Sequence, residues 1–366
     1  MISTIIIFII VLAVLIVVHE LGHFLAARAF GIRVDEFGLG FGPRLFGKTF
    51  THKKHGATIY TLNAIPLGGF VKIFGENPDA DSLTGPDSAR SFVNKPRWAQ
   101  AIVLAAGVFF NFLFAWAIVS LGFLGGIPVS PESYPQYANQ IQNPHIIVDA
   151  VKEGSPAKLA GLTAGDTLLV PSIETLQNTV AQSHGNAITL ERITAAGAHS
   201  TLSILPATST TLSNYVIGIE MENAGTLRLP IHLAIWEGGK LTLYMIKAVV
   251  VGIWTLIVGA FHGDGALLSQ VAGPIGIAKK IGQESGLGFG YLISFVAFIS
   301  VNLGVLNLVP FPALDGSRIL FVAIESVIRR RIKPVIMNTV NGIGFVLLLL
   351  LMFVVTYREV VSLIFG

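Results

Sequence analysis

The sequence His19-Glu20-Leu21-Gly22-His23 sets two imidazoles and one carboxylate within five residues. On a helix, residues four apart lie on one face, so both histidines can bind a single metal ion. Glu20 points elsewhere and can take a proton from a water that zinc activates, without being a ligand itself. The pattern predicts a hydrolytic metal site. The alternative is a pair of core histidines whose nitrogens are satisfied by neighbouring groups.

The place of this pattern in the chain favours the metal site. It follows residues 1–18, which carry no charged side chain. Ionisable residues within a transmembrane helix are costly and usually functional, and a divalent ion would compensate three of them. The chain has no cysteine, so thiolate zinc sites are excluded and the ligands must be His, Asp, Glu or backbone oxygen. Zn²⁺ suits this ligand set, with iron or cobalt as alternatives.

A third ligand is expected, because catalytic zinc sites commonly use three protein ligands and keep one position open. His19 follows eighteen residues of helix, which places it about 27 Å from the outer end of that helix. Asp315 lies near the inner end of a later apolar segment, at a similar depth. Spacing alone explains Asp315 equally well as a ligand or as a turn or capping residue of the helix that leads to Arg329.

The composition indicates the elements that must hold these residues. The 366-residue chain is 52% hydrophobic and only 12% charged, whereas soluble domains carry about 25% charged residues. We therefore predict a polytopic α-helical membrane protein. Four segments are long and apolar enough to be transmembrane helices: Met1–Phe30, Ala99–Leu124, Tyr291–Pro310 and Val335–Thr356.

Basic residues predict the orientation of these helices, because Lys and Arg favour cytoplasmic loops. Ten lie between His23 and Trp98 and five between Ala313 and Pro334, whereas the much longer stretch 125–240 has five. Both termini and the central region are therefore predicted to be extracytoplasmic. The net charge of +3 is modest and its basic residues follow the topology, so no nucleic-acid partner is expected.

A fifth apolar segment, Leu241–Phe261, contains Lys247 and is ambiguous. If it crossed the bilayer, the basic loop at Arg329 would lie outside, and Asp315 would face the side opposite to His19. We therefore predict that residues 229–284 form an amphipathic or interfacial helical region. A spanning helix is the alternative.

Residues 38–47 and 57–75 mix glycines with alternating apolar residues, which predicts strands and tight turns. Backbone of this kind at membrane depth must be buried in protein or line a wet cavity. We predict a re-entrant β-hairpin or small sheet at about 38–75, within an N-terminal membrane domain of residues 1–124. Its edge could hold an unwound segment as an added strand, with Gly68 and Gly69 as candidate substrate-binding residues. The alternative is an ordinary cytoplasmic hairpin.

Residues 125–228 are polar, rich in Ser and Thr, and strand-like. Within them, Ile146–Val170 predicts strand, turn, short helix, turn and strand, and Ile173–Gln182 predicts a longer helix. This order resembles PDZ domains. We predict one inserted extracytoplasmic PDZ-like domain, which either binds a peptide as an added strand or excludes bulky substrates. Residues 285–366 then form the C-terminal membrane domain.

The combination of HELGH with "NLVPFPALDG" (Asn307–Gly316) resembles the site-2 protease family of intramembrane zinc metalloproteases. The stretches "FGLGFGPRLF", "PLGGFVKIFGE" and "AGPIGIA" are similar to the bacterial regulator of sigma-E protease branch. The resemblance implies that His19, His23 and Asp315 bind zinc and that Glu20 is the catalytic base.

The same resemblance implies that Asn307, Pro310 and Pro312 shape the substrate-binding stretch beside the metal. The second span departs from the family pattern: Val108 stands where the family often has proline after the glycine, while Asn111 is kept. This departure leaves the role of Asn111 open.

The implied function is an intramembrane zinc endopeptidase of the bacterial inner membrane. Its substrates would be transmembrane segments of proteins already trimmed outside, such as anti-sigma factors or remnant signal peptides. The alternative is a non-catalytic membrane receptor or metal-handling protein whose PDZ-like domain binds partners. Glu20 discriminates between the two, because a metal holder has no need of an acid beside its ligands. The sequence leaves the oligomeric state open.

Overall fold

The computed structural model describes residues 2–52, 56–194, 197–208, 214–262 and 272–365. These residues form two compact units. The first unit comprises Met1–Trp116, Leu241–Ala278 and Val296–Gly366, and it contains the histidine pair and Asp315. The second unit comprises Ala117–Lys240 and Lys279–Phe295, and it contains a β-sheet domain.

Five helices of the described chain are long and apolar enough to cross a bilayer. They are α1 (Ile2–Ala29), α3 (Arg97–Gly125), α6 (Ile231–Phe261), α8 (Phe289–Leu308) and α10 (Pro334–Phe365). Four of them coincide with the predicted spans, and α8 ends at Leu308, two residues before Pro310, because a proline cannot continue the hydrogen-bond ladder.

Helix α6 starts ten residues before the ambiguous segment and is one continuous helix of 31 residues. Its length and composition suffice for a span, so an interfacial α6 and a total of four spans stay predictions. Residues 263–271, within the predicted interfacial region, lie outside the described residues. The shorter helices are α2 (Ala80–Thr84), α4 (Pro156–Leu159), α5 (Ile173–Gln182), α7 (Pro274–Leu287) and α9 (Asp315–Ile328).

The predicted strands of the first loop are confirmed as β1 (Val34–His52) and β2 (Gly56–Ile73), which pair antiparallel. Both strands are bent, so that Gly38 pairs with Thr61 on one side and with Phe70 on the other. Gly40 and Gly42 have φ of 81° and 84°, a conformation that glycine adopts without strain and that allows the bend. The pairing gives a small sheet with its arms in the order 44–52, 56–63, 34–41 and 69–73.

A buried apolar cluster ties this small sheet to the helices of the first unit. Phe24 and Ala27 of α1 pack with strand residues and with α3 and α9 residues, and the full cluster is Phe24, Ala27, Ile32, Val34, Ile73, Phe92, Val103, Leu104 and Val322. Burial of such side chains contributes roughly 1.5–3 kcal/mol each. The cluster therefore holds the arm 69–73 beside the helix that carries the histidines.

The second unit is built on a six-stranded sheet with the order β3-β10-β4-β5-β6-β7. Its strands are β3 (Ile127–Val129), β4 (Ile141–Val151), β5 (Thr167–Leu168), β6 (Ile188–Ile193), β7 (His199–Ile204) and β10 (Ile219–Leu227). A two-stranded ribbon joins β8 (Ala207–Thr208) to β9 (Tyr215–Val216). Leu176 and Val180 of α5 are buried in the core with Ile146 and Ile204. The predicted succession of strand, short helix, strand and longer helix is thus confirmed, whereas the PDZ-like assignment stays a prediction.

Candidate metal centre

Helix α1 presents His19 and His23 toward the interior of the first unit, where the two residues are 8% and 7% exposed. Their Nε2 atoms are 3.3 Å apart, and the rings meet edge to face. Helix α3 packs closely against this side of α1. The helices are so close that a Cβ placed on Gly22 would lie 2.4 Å from the carbonyl oxygen of Ala106. The glycine between the histidines therefore permits the close approach of the two helices.

Asp315 reaches the histidines from the other end of the chain. It is the first residue of α9, after the connection 309–314, and its Oδ2 lies 3.0 Å from His19 Nε2 and 3.2 Å from His23 Nε2. Gly316 is buried, and a Cβ there would lie 2.3 Å from the carbonyl oxygen of Val309, so only glycine allows this tight turn.

Asp315 does not cap the helix, because it is the first residue within α9. The residue at the cap position of α9 is Leu314, and its side chain makes no capping hydrogen bond. The far end of α9 is held by a buried ion pair, in which Arg97 Nη1 lies 2.6 Å from Glu325 Oε2. Anchored in this way at both ends, α9 keeps the Asp315 carboxylate directed at the histidines.

The donor set fits a tetrahedral zinc ion. Zinc binds imidazole nitrogen and carboxylate oxygen at about 2.0–2.2 Å, which separates neighbouring donors by about 3.3–3.6 Å in a tetrahedron. The three donor atoms of His19, His23 and Asp315 are 3.0–3.3 Å apart. They are the His/Asp/Glu cluster of the described residues that could hold a metal ion. Three protein donors leave the fourth position for water or substrate.

A polar pocket of about 180 Å³ opens beside these donors. Its lining consists of Glu20, His23, Phe70, Val71, Ile73, Glu76, Asp315 and Arg318. Val71 lines this pocket together with Glu20. A Cβ placed on Gly69 would lie 3.5 Å from Glu20 Cγ and 2.7 Å from Ile16 Cγ2. The arm 69–73 therefore lies directly along the carboxylate of α1.

The other predicted residues take different places around the site. The Asn307 Nδ2 lies 3.4 Å from His19 Nε2, near the C-terminal end of α8. Gly68, with φ of 109°, packs against the ring of Phe41, so that a Cβ there would clash. Pro310 and Pro312 lie in the connection before α9, outside the described lining of the pocket. Pro312 contacts Gly344 of α10, where a Cβ would lie 2.3 Å from the proline Cβ.

Sequence reasoning missed the second charged pair of the pocket, in which Arg318 forms an ion pair with Glu76. Two signals could have found it. Arg318 follows Asp315 by three residues, which places both on one face of α9. Glu76 ends the stretch "PLGGFVKIFGE", which carries part of the family resemblance. The ion pair joins α9 to the segment that follows β2 and sets a cation opposite Glu20.

Comparison with known proteins agrees with this geometry. The model of "Peptidase family M50" matches residues 7–351. A protein of Clostridium perfringens is 33% identical over 354 residues, which cover 95% of each chain. A protein of Nostoc is 35% identical over 361 residues, which cover 93% of this chain and 91% of that protein. The names of both include the words zinc metalloprotease. Zinc metalloprotease RasP of Geobacillus kaustophilus is 28% identical over 440 residues, which cover 98% of each.

Proposed function

The chain belongs to peptidase family M50 and is an intramembrane zinc protease, and we propose that His19, His23 and Asp315 hold its zinc ion while Glu20 is the general base. The observation that carries this assignment is the convergence of the three donor atoms within 3.0–3.3 Å of one another, with Glu20 in the adjoining pocket. A non-catalytic receptor is not favoured, because the family is a peptidase family.

Bound zinc would supply a Lewis acid that polarises the scissile carbonyl and acidifies a water molecule. The Glu20 carboxylate, in the pocket that Val71 also lines, accepts the proton of the attacking water and delivers it to the leaving amine. The Asn307 amide, 3.4 Å from His19 Nε2, is placed to donate a hydrogen bond to the substrate carbonyl oxygen. Arg318, held by Glu76, adds a positive charge to the same pocket, where negative charge develops.

The substrate is an unwound transmembrane segment that binds along the arm 69–73. A helix shields its peptide bonds within its own hydrogen bonds, so a transmembrane helix must unwind before it is hydrolysed. The arm 69–73 pairs with β1 on one side, and its other side faces Glu20. An extended segment added to this edge would run past the catalytic carboxylate, and the missing side chain of Gly69 lets the arm lie close to Glu20.

The test of this function is the substitution Glu20→Gln, which keeps the shape of the side chain but removes its basicity. Purified protein should retain its zinc, measured by elemental analysis, while cleavage of a model transmembrane substrate falls at least about 100-fold. Undiminished cleavage by this variant would refute the role of Glu20. A chain that carries no zinc before substitution would refute the ligand assignment.

We further propose that the second unit is a PDZ-like domain that receives an extended peptide. A groove of about 440 Å³ runs between α5 and the start of β10, lined by Leu176, Val180, Ile219 and Met221 among others. At this end β10 pairs with β4, and β3 pairs only with residues 225–227. Ala181→Arg, at an exposed position in the lining of the groove, should fill it and slow cleavage of an outside-trimmed substrate, whereas Asn178→Arg on the exposed face of α5 should not. Equal rates would favour a size filter.

The finer topology rests on the charge distribution. We propose a multi-pass protein of the bacterial inner membrane, with both termini and the sheet domain extracytoplasmic and substrates such as anti-sigma factors or remnant signal peptides. Because the chain lacks cysteine, single introduced cysteines can be labelled without background. Labelling by an impermeant reagent from outside at residue 200, but not at residue 330, is expected. The opposite result at 330 would make α6 a span.

A further inference from the structure

Asn111 is a fully buried amide in the middle of the apolar helix α3, with 0% of its surface exposed. Its Nδ2 lies 3.1 Å from His19 Nδ1, and its Oδ1 is buried without a hydrogen-bond partner. A buried polar atom without a hydrogen bond lowers the stability of the folded protein, because it has lost its contacts with water and gained none in return. An uncompensated polar group at this depth therefore calls for a functional explanation, and the side chain it faces is a proposed zinc ligand.

Coordination through Nε2 dictates what the other ring nitrogen must do. A neutral imidazole has one N–H, so a histidine that offers Nε2 to an ion carries its proton on Nδ1 and needs an acceptor there. His23 has this acceptor, because its Nδ1 lies 2.9 Å from the carbonyl oxygen of Val103 on α3. The corresponding position beside His19 Nδ1 is occupied by the Asn111 amide.

We propose that Asn111 is the positioning residue of His19, whose amide oxygen accepts the Nδ1–H when Nε2 binds zinc. The two ends of an amide are distinguished by their hydrogen bonds, and a half-turn of the side chain exchanges them. The placed orientation, with nitrogen toward the ring, leaves the oxygen unpaired. When His19 binds zinc through Nε2, its Nδ1 carries a proton. The Asn111 Oδ1 must then face Nδ1, since the N–H groups of the amide and of the ring would repel each other. This inference rests on the proposed zinc site and concerns its affinity.

The packing of α3 against α1 is built to bring this amide to the ring. Gly22 and Gly107 allow close contact, and a Cβ on Gly107 would lie 2.3 Å from His23 Nε2 and 2.8 Å from His19 Cε1. On the far side, the Ser300 hydroxyl of α8 donates to the backbone carbonyl oxygen of Asn111 at 2.8 Å. The segment of α3 from Val103 to Asn111 therefore supplies one orienting group to each histidine.

The experiment measures zinc affinity of the purified full-length protein by competition with a chelator, independently of proteolysis. Asn111→Leu removes the acceptor at similar size, and the expected loss is roughly 10- to 100-fold in affinity. Asn111→Asp keeps an acceptor oxygen, so it should bind zinc at least as tightly as the unmodified chain. Asn302→Leu is the control, because this amide donates to the Phe298 carbonyl oxygen of its own helix and should leave the affinity unchanged.

Each outcome decides one point. Unaltered affinity in Asn111→Leu overturns the proposal. Should that variant fail to fold, Asn111→Asp remains decisive, since a folded Asn111→Asp protein with weaker affinity than the unmodified chain also overturns it. His19→Ala separates this from the proposed function. If its affinity equals that of the unmodified chain, the zinc site itself is wrong. If His19→Ala loses zinc while Asn111→Leu keeps it, only the positioning role fails.

Discussion

Two aspartates, buried in one compact unit and partly buried in the other, show how different partners give different roles. In the sheet domain, Asp166 is 0% exposed and lies 2.6 Å from Arg192 Nη1, and it also accepts hydrogen bonds from the Thr163 backbone N–H and hydroxyl. In the membrane unit, Asp315 faces two imidazoles at 3.0 and 3.2 Å. The first carboxylate is paired with a guanidinium, which is always charged, whereas the second faces two imidazoles, which also bind metal ions.

The difference in partners indicates a structural role for the Asp166 cluster and a metal-binding role for the Asp315 cluster. A carboxylate paired with an always-charged guanidinium is a finished structural element. A carboxylate that faces two imidazoles has no permanently charged partner, but together with them it supplies the three ligands that a zinc ion needs. Removing either aspartate should therefore damage a different property of the molecule, and the following predictions test that separation.

The largest effect is expected from Asp315→Ala. Apparent binding energies of three-or-four-ligand zinc sites are about 12 kcal/mol at neutral pH, so the loss of one ligand in three should lower zinc affinity by about a thousand-fold. Cleavage should disappear, while thermal unfolding of the sheet domain should stay unchanged. Chelator competition measures the zinc affinity, and limited proteolysis during heating measures the unfolding of the sheet domain. Retained zinc with a destabilised sheet domain would contradict the separation.

The reverse effect is expected from Asp166→Leu, which leaves Arg192 without its buried partner. Removal of one member of a buried pair costs about 3–5 kcal/mol of the free energy of unfolding, and here the sheet domain should lose it. Zinc content of the folded fraction should not change. Glu153→Gln is the control, because its pair with Lys158 is exposed and such pairs contribute less than about 1 kcal/mol. Zinc loss in Asp166→Leu would show that the clusters are coupled.

A smaller effect, which sharpens the comparison within the membrane unit, is expected from Gly107→Ala. The new methyl group would stand 2.3 Å from His23 Nε2 and must displace the ligand. Displacement of a site by about 1 Å costs on the order of 100-fold in activity. Gly252→Ala on α6 has open space around it and is the matched control. A cleavage rate near that of the unmodified chain would mean that the imidazoles can move without loss.

Much of the first unit could be predicted because its signals are local. The charge-free run before His19 fixes a long helix, and the spacing of His19 and His23 places both rings on one face. The alternation of glycine and apolar residues in 38–47 and 57–75 predicted strands that are present. The Asp166–Arg192 pair carried no such local signal, because 26 residues separate its members and nothing between them indicates that they meet.

The sequence by itself determined the apolar helices, the histidine pair with its neighbouring glutamate and, through its family, the chemistry. Its family resemblance also names Asp315 as the third ligand. Only the tertiary structure decided that the Asp315 carboxylate lies 3.0 and 3.2 Å from the two imidazoles, that Arg318 and Glu76 share its pocket, and that Asn111 lies behind His19. The physical reason is separation along the chain. His19 and Asp315 are 296 residues apart, and helical periodicity predicts which residues lie together only within one helix. What joins them is close packing of glycine-lined helices, which depends on shapes that meet only after folding.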